Sequence, residues 1–312
     1  MKPHTFILTL LFTAAAVYFC SGIGFGAWDS PLAMDDTVRQ IRLPRIYTAL
    51  LVGAGLAASG AALQALFENP LADPSLIGTS GGAALGVISV IALGGGAVSV
   101  PVAAFGGALG VCLLILAVHR LVSGGTLGLL VLGFVLSAFA GAAVSMIMFL
   151  ADDETLRSAT NWLAGSLSEA GFASPLLALC TMLPGFVLLL LSGWQLDVLM
   201  TGEDTAVSMG VSVSRVRVQT VIGAALMTGG AVSLAGVIGF LGMMIPNVLA
   251  QAVSGGRSRL TALSAWVGAV FLMIVDGISR WLTYPVDLPV GIVIALLGGP
   301  FFLYLFIRPI QR

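Results

Sequence analysis

The feature that most limits this chain is the run Val218–Val253, 36 residues without one charged side chain. In water such a run would need burial on every side, whereas hydrocarbon accepts it as it stands. It is also far longer than the roughly 20 residues that cross a ~30 Å hydrocarbon core as a helix. Gly236, Gly239 and Gly242 lie near its middle. We read a full span, a glycine break and a shorter segment that returns.

Similar apolar runs recur along the chain. They are Phe6–Ala27, Ile46–Phe67, Leu76–Leu93, Val98–Val118, Thr126–Leu150 and Pro175–Trp194, followed after the long run by Thr261–Ile278 and Pro289–Ile307. Counting the long run twice gives ten segments, with Leu76–Leu93 marginal in length. Only 9% of the residues are charged and the mean hydropathy is +1.08, whereas a soluble domain carries roughly 25% charged residues. The expectation is an all-α polytopic membrane protein of about ten transmembrane helices, one domain over residues 1–312. A cleaved signal peptide is the rival reading of the first run. Its apolar core is too long, and no clean small-x-small cleavage site follows.

Basic residues set the orientation. With the N-terminus inside, Lys2, Arg120, Arg215, Arg217, Arg257, Arg259, Arg308 and Arg312 lie inside, and Arg39, Arg42, Arg45, Arg157 and Arg280 outside. The bias puts both termini in the cytoplasm. Three of the exceptions crowd one outer loop. Lipid snorkelling accounts for them plainly; a basic face for a partner is the alternative. The net charge of −1 gives no sign of nucleic acid.

Small residues at Gly53, Gly55 and Ser59, at Gly106 and Gly110, and at Gly236, Gly239 and Gly242 suggest close helix packing in lipid. Cys20, Cys112 and Cys180 lie in apolar runs without metal-ligand spacing, so they read as small packing residues.

The most polar stretch of the second half is Leu196–Arg217. Glu203 and Asp204 sit where a helix dipole favours acids, and Gly210 reads as a helix stop. Val198, Leu199, Ala206, Met209, Val211 and Val213 give the stretch an apolar side. Two short helices around a glycine turn, lying flat on the cytoplasmic surface, fit this pattern. An ordinary interhelical loop is the plainer alternative.

Chemistry is sparse. Lys2 is the sole lysine, so no Gly-Lys-Ser/Thr phosphate loop exists in the sequence. His4 and His119 fall at span ends, which argues against a histidine metal centre or a proton relay. Asp276 is the one carboxylate clearly inside a span, and Arg280 one turn on would pair with it. A stand-alone ion-coupled secondary transporter needs ionisable or unwound sites near the midplane, and an intramembrane enzyme needs a nucleophile with a base. Neither set is visible. The chain reads as a conduit driven by something else: no enzyme, no cofactor and no metal site.

Certain motifs carry a resemblance. Arg42-Leu43-Pro44-Arg45 precedes the second span. Gln64-Ala65-Leu66-Phe67-Glu68-Asn69-Pro70-Leu71-Ala72-Asp73-Pro74, with Gly78 and Gly81, follows it. Trp162 to Leu167, Gly202-Glu203 through Met209-Gly210-Val211, Gly236 to Gly242 with Pro246, Asp287 to Gly291, and Gly298-Gly299-Pro300 come later. In order and over the whole chain, these are similar to the iron-chelate and cobalamin family of ABC importer permeases. One departure is clear: the family's histidine after Pro246, and its arginine three residues later, are here Asn247 and Ala250.

The resemblance implies a type II ABC importer permease in the cell inner membrane. It implies a homodimer with one pathway on the two-fold axis, two separate ATPase subunits beneath, and a periplasmic or lipoprotein substrate-binding protein above. The cargo would be a ferric siderophore first, haem second and cobalamin third, moved by ATP-driven alternating access. Gly202, Glu203, Ala206, Met209, Gly210 and Val211 would couple to the ATPase. Arg42, Arg45 and Arg280 would form basic patches for the binding protein. Asn69 and Leu71, with Thr126 nearby, would form a cytoplasmic gate, although Asn69-Pro70 also reads as a plain turn.

Overall fold

A computed structural model describes residues 3–24, 28–95, 98–121, 124–170 and 175–307. Lys2, Arg308 and Arg312, which support the basic-residue bias, lie outside these. The described residues form twelve α-helices in the order α1 (Pro3–Gly22), α2 (Asp36–Leu66), α3 (Thr79–Ala92), α4 (Val100–His119), α5 (Gly125–Leu150), α6 (Asp153–Leu163), α7 (Pro175–Leu199), α8 (Glu203–Ser208), α9 (Val213–Ala235), α10 (Leu241–Ala252), α11 (Arg257–Leu282) and α12 (Val290–Ile307). Six of them (α2, α4, α5, α7, α9 and α11) are long and apolar enough to cross a membrane, and α1, α3, α10 and α12 contain shorter apolar stretches. The ten apolar segments of the sequence are therefore ten helices of an all-α, multi-pass membrane protein.

Boundaries differ from the apolar runs for identifiable reasons. The second helix starts ten residues before Ile46, at Asp36, and continues through Pro44. Its first turns are charged and leave the apolar zone without leaving the helix. The third is cut to Thr79–Ala92, because Pro74–Ile77 forms a 3-10 turn and Gly78 takes φ 74°. The long charge-free run does break. Its first part ends at Ala235, residues 236–240 are non-helical with positive φ at Gly236 and Phe240, and α10 runs back.

The bundle is organised on α2 and α9, whose apolar windows are each 78% buried, against 28%, 22% and 33% for α4, α5 and α7. The latter three keep broad apolar faces outward, as lipid or a partner subunit allows. Bare backbone permits the tightest crossings. A Cβ at Gly53 would lie 2.2 Å from the Gly268 carbonyl oxygen, joining α2 to α11, and one at Gly60 would lie 1.7 Å from that of Gly242, joining α2 to α10. Gly106 and Gly110 do not pack in this way, since a Cβ at either meets nothing within 4 Å. Gly107 is the residue pressed on Gly82 of α3. Cys20 and Cys112 are buried packing residues, but Cys180 is exposed on the bundle surface.

Candidate coupling, gate and rim sites

Helix α7 runs on through Leu196, Asp197 and Leu199, so the polar connection is shorter than the sequence suggests. Gly202, at φ 110°, turns the chain into α8, with Glu203 and Asp204 in its first turn. The helix closes on a Schellman turn. Gly210, at φ 81°, donates its N–H to Val207 O, and Val211 donates to Ala206 O, both at 2.9 Å. Ala206 and Val211, the apolar pair of that motif, are buried against the bundle. The second short flat helix expected here does not form. Val213 already belongs to α9, because Val213 and Val216 bury at once while Arg215 and Arg217 stay at the bundle's end.

The apolar side of this segment is thus divided. Val198, Leu199, Ala206, Val211 and Val213 face their own chain. Met209 is 56% exposed and Val207, which the sequence reading passed over, 63% exposed. A short rigid helix therefore presents two apolar side chains outward beside an acidic first turn.

Charge ties this helix to its neighbours. Glu203 forms an ion pair with Arg217 of α9, and Arg217 Nε donates to Thr126 Oγ1 of α5 at 2.9 Å. Three elements meet at this one guanidinium, and Thr126 comes from 91 residues away. Thr126, expected near Asn69 and Leu71, holds the Arg217 guanidinium.

Asn69 and Leu71 lie in the connection between α2 and α3, a fixed turn. Asn69 Oδ1 accepts the Leu71 N–H at 2.9 Å, and Asn69 O accepts that of Ala72. Asp73 Oδ1 accepts the Ser75 N–H. Loss of solvent around this carboxyl pushes it above the usual carboxylate range, against the lowering effect of that bond. Helix α10 clamps the turn from the side: Gln64 Nε2 donates to Met243 O at 3.0 Å and Asn247 Nδ2 to Pro70 O at 3.4 Å. Asn247 therefore has a partner of its own, while Ala250 is exposed.

At the opposite end of the bundle, Arg42, Arg45 and Arg280 do converge, but not as free basic patches. Arg45 donates to both oxygens of Asp276 at 2.8–3.2 Å and to both of Asp287 at 2.7 and 2.9 Å. Arg280 Nε donates to Asp276 Oδ2 at 3.1 Å, the intrahelical pair anticipated, and its Nη1 to Ile23 O. Arg42 donates to Ser21 O and Gly22 O and pairs with Asp29 at 3.4 Å. Three cations face three carboxylates, with the arginine side chains 9–15% exposed. Desolvation explains this: a charge held in a low-dielectric site needs a partner. A cavity of about 250 Å³ opens against all three arginines, with Tyr284 on its wall. The sequence held no signal for Asp29 or Asp287 as partners, because Asp287 meets a residue 242 positions away.

Comparison with known proteins agrees with this geometry. Residues 5–308 match the model of the FecCD transport family. The chain is 38% identical to the hemin transport system permease protein HmuU of Yersinia pestis over 278 residues, covering 86% of this chain and 82% of that protein. It is 36% identical to the vitamin B12 import system permease protein BtuC of Vibrio cholerae over 288 residues, 91% and 86% of the two chains. A solved metal-chelate type ABC transporter in an inward-facing conformation superposes with a TM-score of 0.88 at 30% identity, covering 98% of this chain and 99% of that one. With the family model matched over residues 5–308 and relatives above 30% identity aligned along most of its length, this chain belongs to the FecCD transport family.

Proposed function

We propose that the chain is the membrane-spanning subunit of an ABC importer for a bulky metal chelate, a ferric siderophore foremost, with haem second and cobalamin third. Two copies form one pathway on a two-fold axis. Two ATPase subunits sit at the Glu203 end, and a substrate-binding protein at the Arg45 end. The Glu203 end and both termini are then cytoplasmic and the membrane is the cell inner membrane, as the basic-residue bias favours.

The observation that carries this reading is α8. Its fold is fixed from within by a Schellman turn and the Glu203–Arg217 pair, yet Val207 and Met209 are left outward. That suits a part which transmits a push from a separate protein: the apolar side chains dock, and Arg217 relays displacement to α9 and α5. Asn69 and Leu71 act as the gate because α10 holds their turn by Asn247 and lets it follow that helix. The binding protein docks around Arg42, Arg45 and Arg280 by carboxylates that compete with the chain's own acids. Asp29, 62% exposed and held by one 3.4 Å contact, is the most easily displaced, and Asp287, 41% exposed, comes next.

The test is reconstitution of the chain with its ATPase and binding protein in proteoliposomes, with siderophore-bound iron, haem and cobalamin offered in parallel. Uptake of one cargo that needs ATP on the α8 side is the expected result. Uptake by the chain alone, driven by an ion gradient, would overturn the assignment.

A further inference from the structure

We propose that the cavity beside α8 is a site for a phosphate group, which competes there with Glu203 for Arg217. The cavity, about 390 Å³, lies between the end of α4, the start of α5 and the first turns of α9. Its polar lining is His119, Arg120, Ser214 and Arg217 with the backbone of Gly124 and Gly125, and no carboxylate among the described residues lines it.

Two of these groups lack partners. Arg120 has no ion pair among the described residues, although Arg217 and five other arginines do. His119 Nδ1 is enclosed and makes no hydrogen bond among the described residues, a condition that a native fold meets with water or a ligand. The start of α5 adds to the same point. A Cβ at Gly125 would lie 3.6 Å from Arg217 Nη2, and one at Gly128 would lie 3.4 Å from His119 Nδ1. Both side chains therefore rest on the first turn of a 26-residue helix whose Gly124 cap offers no side-chain oxygen to its N–H groups. Guanidinium, imidazole and free N–H donors arranged around one cavity suit a phosphate oxygen set.

The phosphate belongs either to an anionic lipid headgroup, since Leu129 makes the deep wall apolar, or to soluble phosphate. When it binds, Arg217 turns from Glu203 toward the cavity and loosens the tie of α8 to α9. That bearing on coupling rests on the reading of α8 given above; the binding itself does not.

Native mass spectrometry of the purified chain in detergent tests it, with phosphatidylglycerol and inorganic phosphate titrated separately and against each other. Arg120→Gln should weaken binding about tenfold, the loss of one charge-assisted donor. Glu203→Gln should tighten it by removing the competitor, a gain that a merely structural role would not give. Arg120 is exposed, so its substitution leaves the fold intact. Binding of phosphatidylglycerol that phosphate does not displace identifies the lipid; phosphate binding alone identifies the soluble ion. If neither ligand's affinity responds to Arg120→Gln or Glu203→Gln, the proposal is wrong, even where the ATPase still docks on Met209.

Discussion

Replacing Asp276 by asparagine tests whether the Arg45–Asp276–Arg280–Asp287 network holds the Arg45 end together. Asp276 is 2% exposed and accepts three hydrogen bonds from Arg45 and one from Arg280. Asparagine is nearly isosteric, so packing is kept while the charge is lost. Two guanidiniums, 11% and 15% exposed, then share the single carboxylate of Asp287. Breaking a buried pair by removing one partner costs roughly 3–5 kcal/mol. Asp287 remains on Arg45, so the lower end of that range, about 3 kcal/mol, is expected. Asp287→Asn is the internal control. That carboxylate is 41% exposed and solvent already screens it, so its loss should cost about 1 kcal/mol or less. Both variants are assayed for survival of the monodisperse protein after heating in detergent and for resistance to added denaturant. The double variant Arg45→Gln, Asp276→Asn should recover part of the loss, since removing both partners leaves less charge stranded. Equal losses for Asp276→Asn and Asp287→Asn would refute the argument. So would a double variant weaker than the sum of the singles.

Other consequences are as direct. Met209→Asp should abolish ATPase copurification and uptake, because an unpaired charge at a buried interface costs several kcal/mol; membrane insertion, followed by fractionation, should be normal because Met209 faces outward. Ala206→Asp in the same helix should instead lower the yield of folded chain, since Ala206 is fully buried. Gly60→Ala should prevent folding, whereas Gly106→Ala should leave gel-filtration behaviour unchanged, given 1.7 Å to the Gly242 oxygen at the first and open space at the second. The purified chain alone should neither bind nor hydrolyse ATP, measured by nucleotide retention and phosphate release, since it has no lysine but Lys2.

The sequence disclosed the class of fold because hydrocarbon is an undemanding solvent for apolar runs and length alone separates one span from the next. It placed the break after Ala235 correctly, since glycines cluster where the backbone leaves the helix. It misplaced helix ends wherever a charged turn continues a span, as before Ile46 and after Trp194. Val213 was assigned to a separate short helix for the same reason: Arg215 and Arg217 look like loop residues until Val213 and Val216 are seen to bury. Packing faces failed by one residue at Gly106 and Gly107, about 100° apart around a helix. The segment proposed to couple to an ATPase was legible as a motif, but which of its apolar residues face outward was not. That is decided by what the rest of the bundle covers. The outer arginines were legible as charges only. Their carboxylates come from elements brought near by folding, and no spacing rule reaches across 242 residues.

The non-helical stretch 236–240 joins α10 to α9 through a break rather than a continuous helix. Phe240 O accepts the Met243 and Met244 N–H groups and Gly236 N–H is bonded to Val232 O, so bending falls to Val237 and Ile238, where rotation would swing α10 as one body. The fulcrum is fixed nearby, where Gly242 rests on Gly60 with no side chain between them. From there to Ala252 the helix is roughly 15 Å long, so a swing of about 10° carries its tip about 3 Å. Asn247, halfway along, moves about half as far and takes the Pro70 carbonyl with it. On the gate proposal above, such a swing would open or close the Asn69–Leu71 turn. A disulfide engineered between α10 and α2 beyond Gly242 would lock the lever and should arrest uptake while the ATPase still binds.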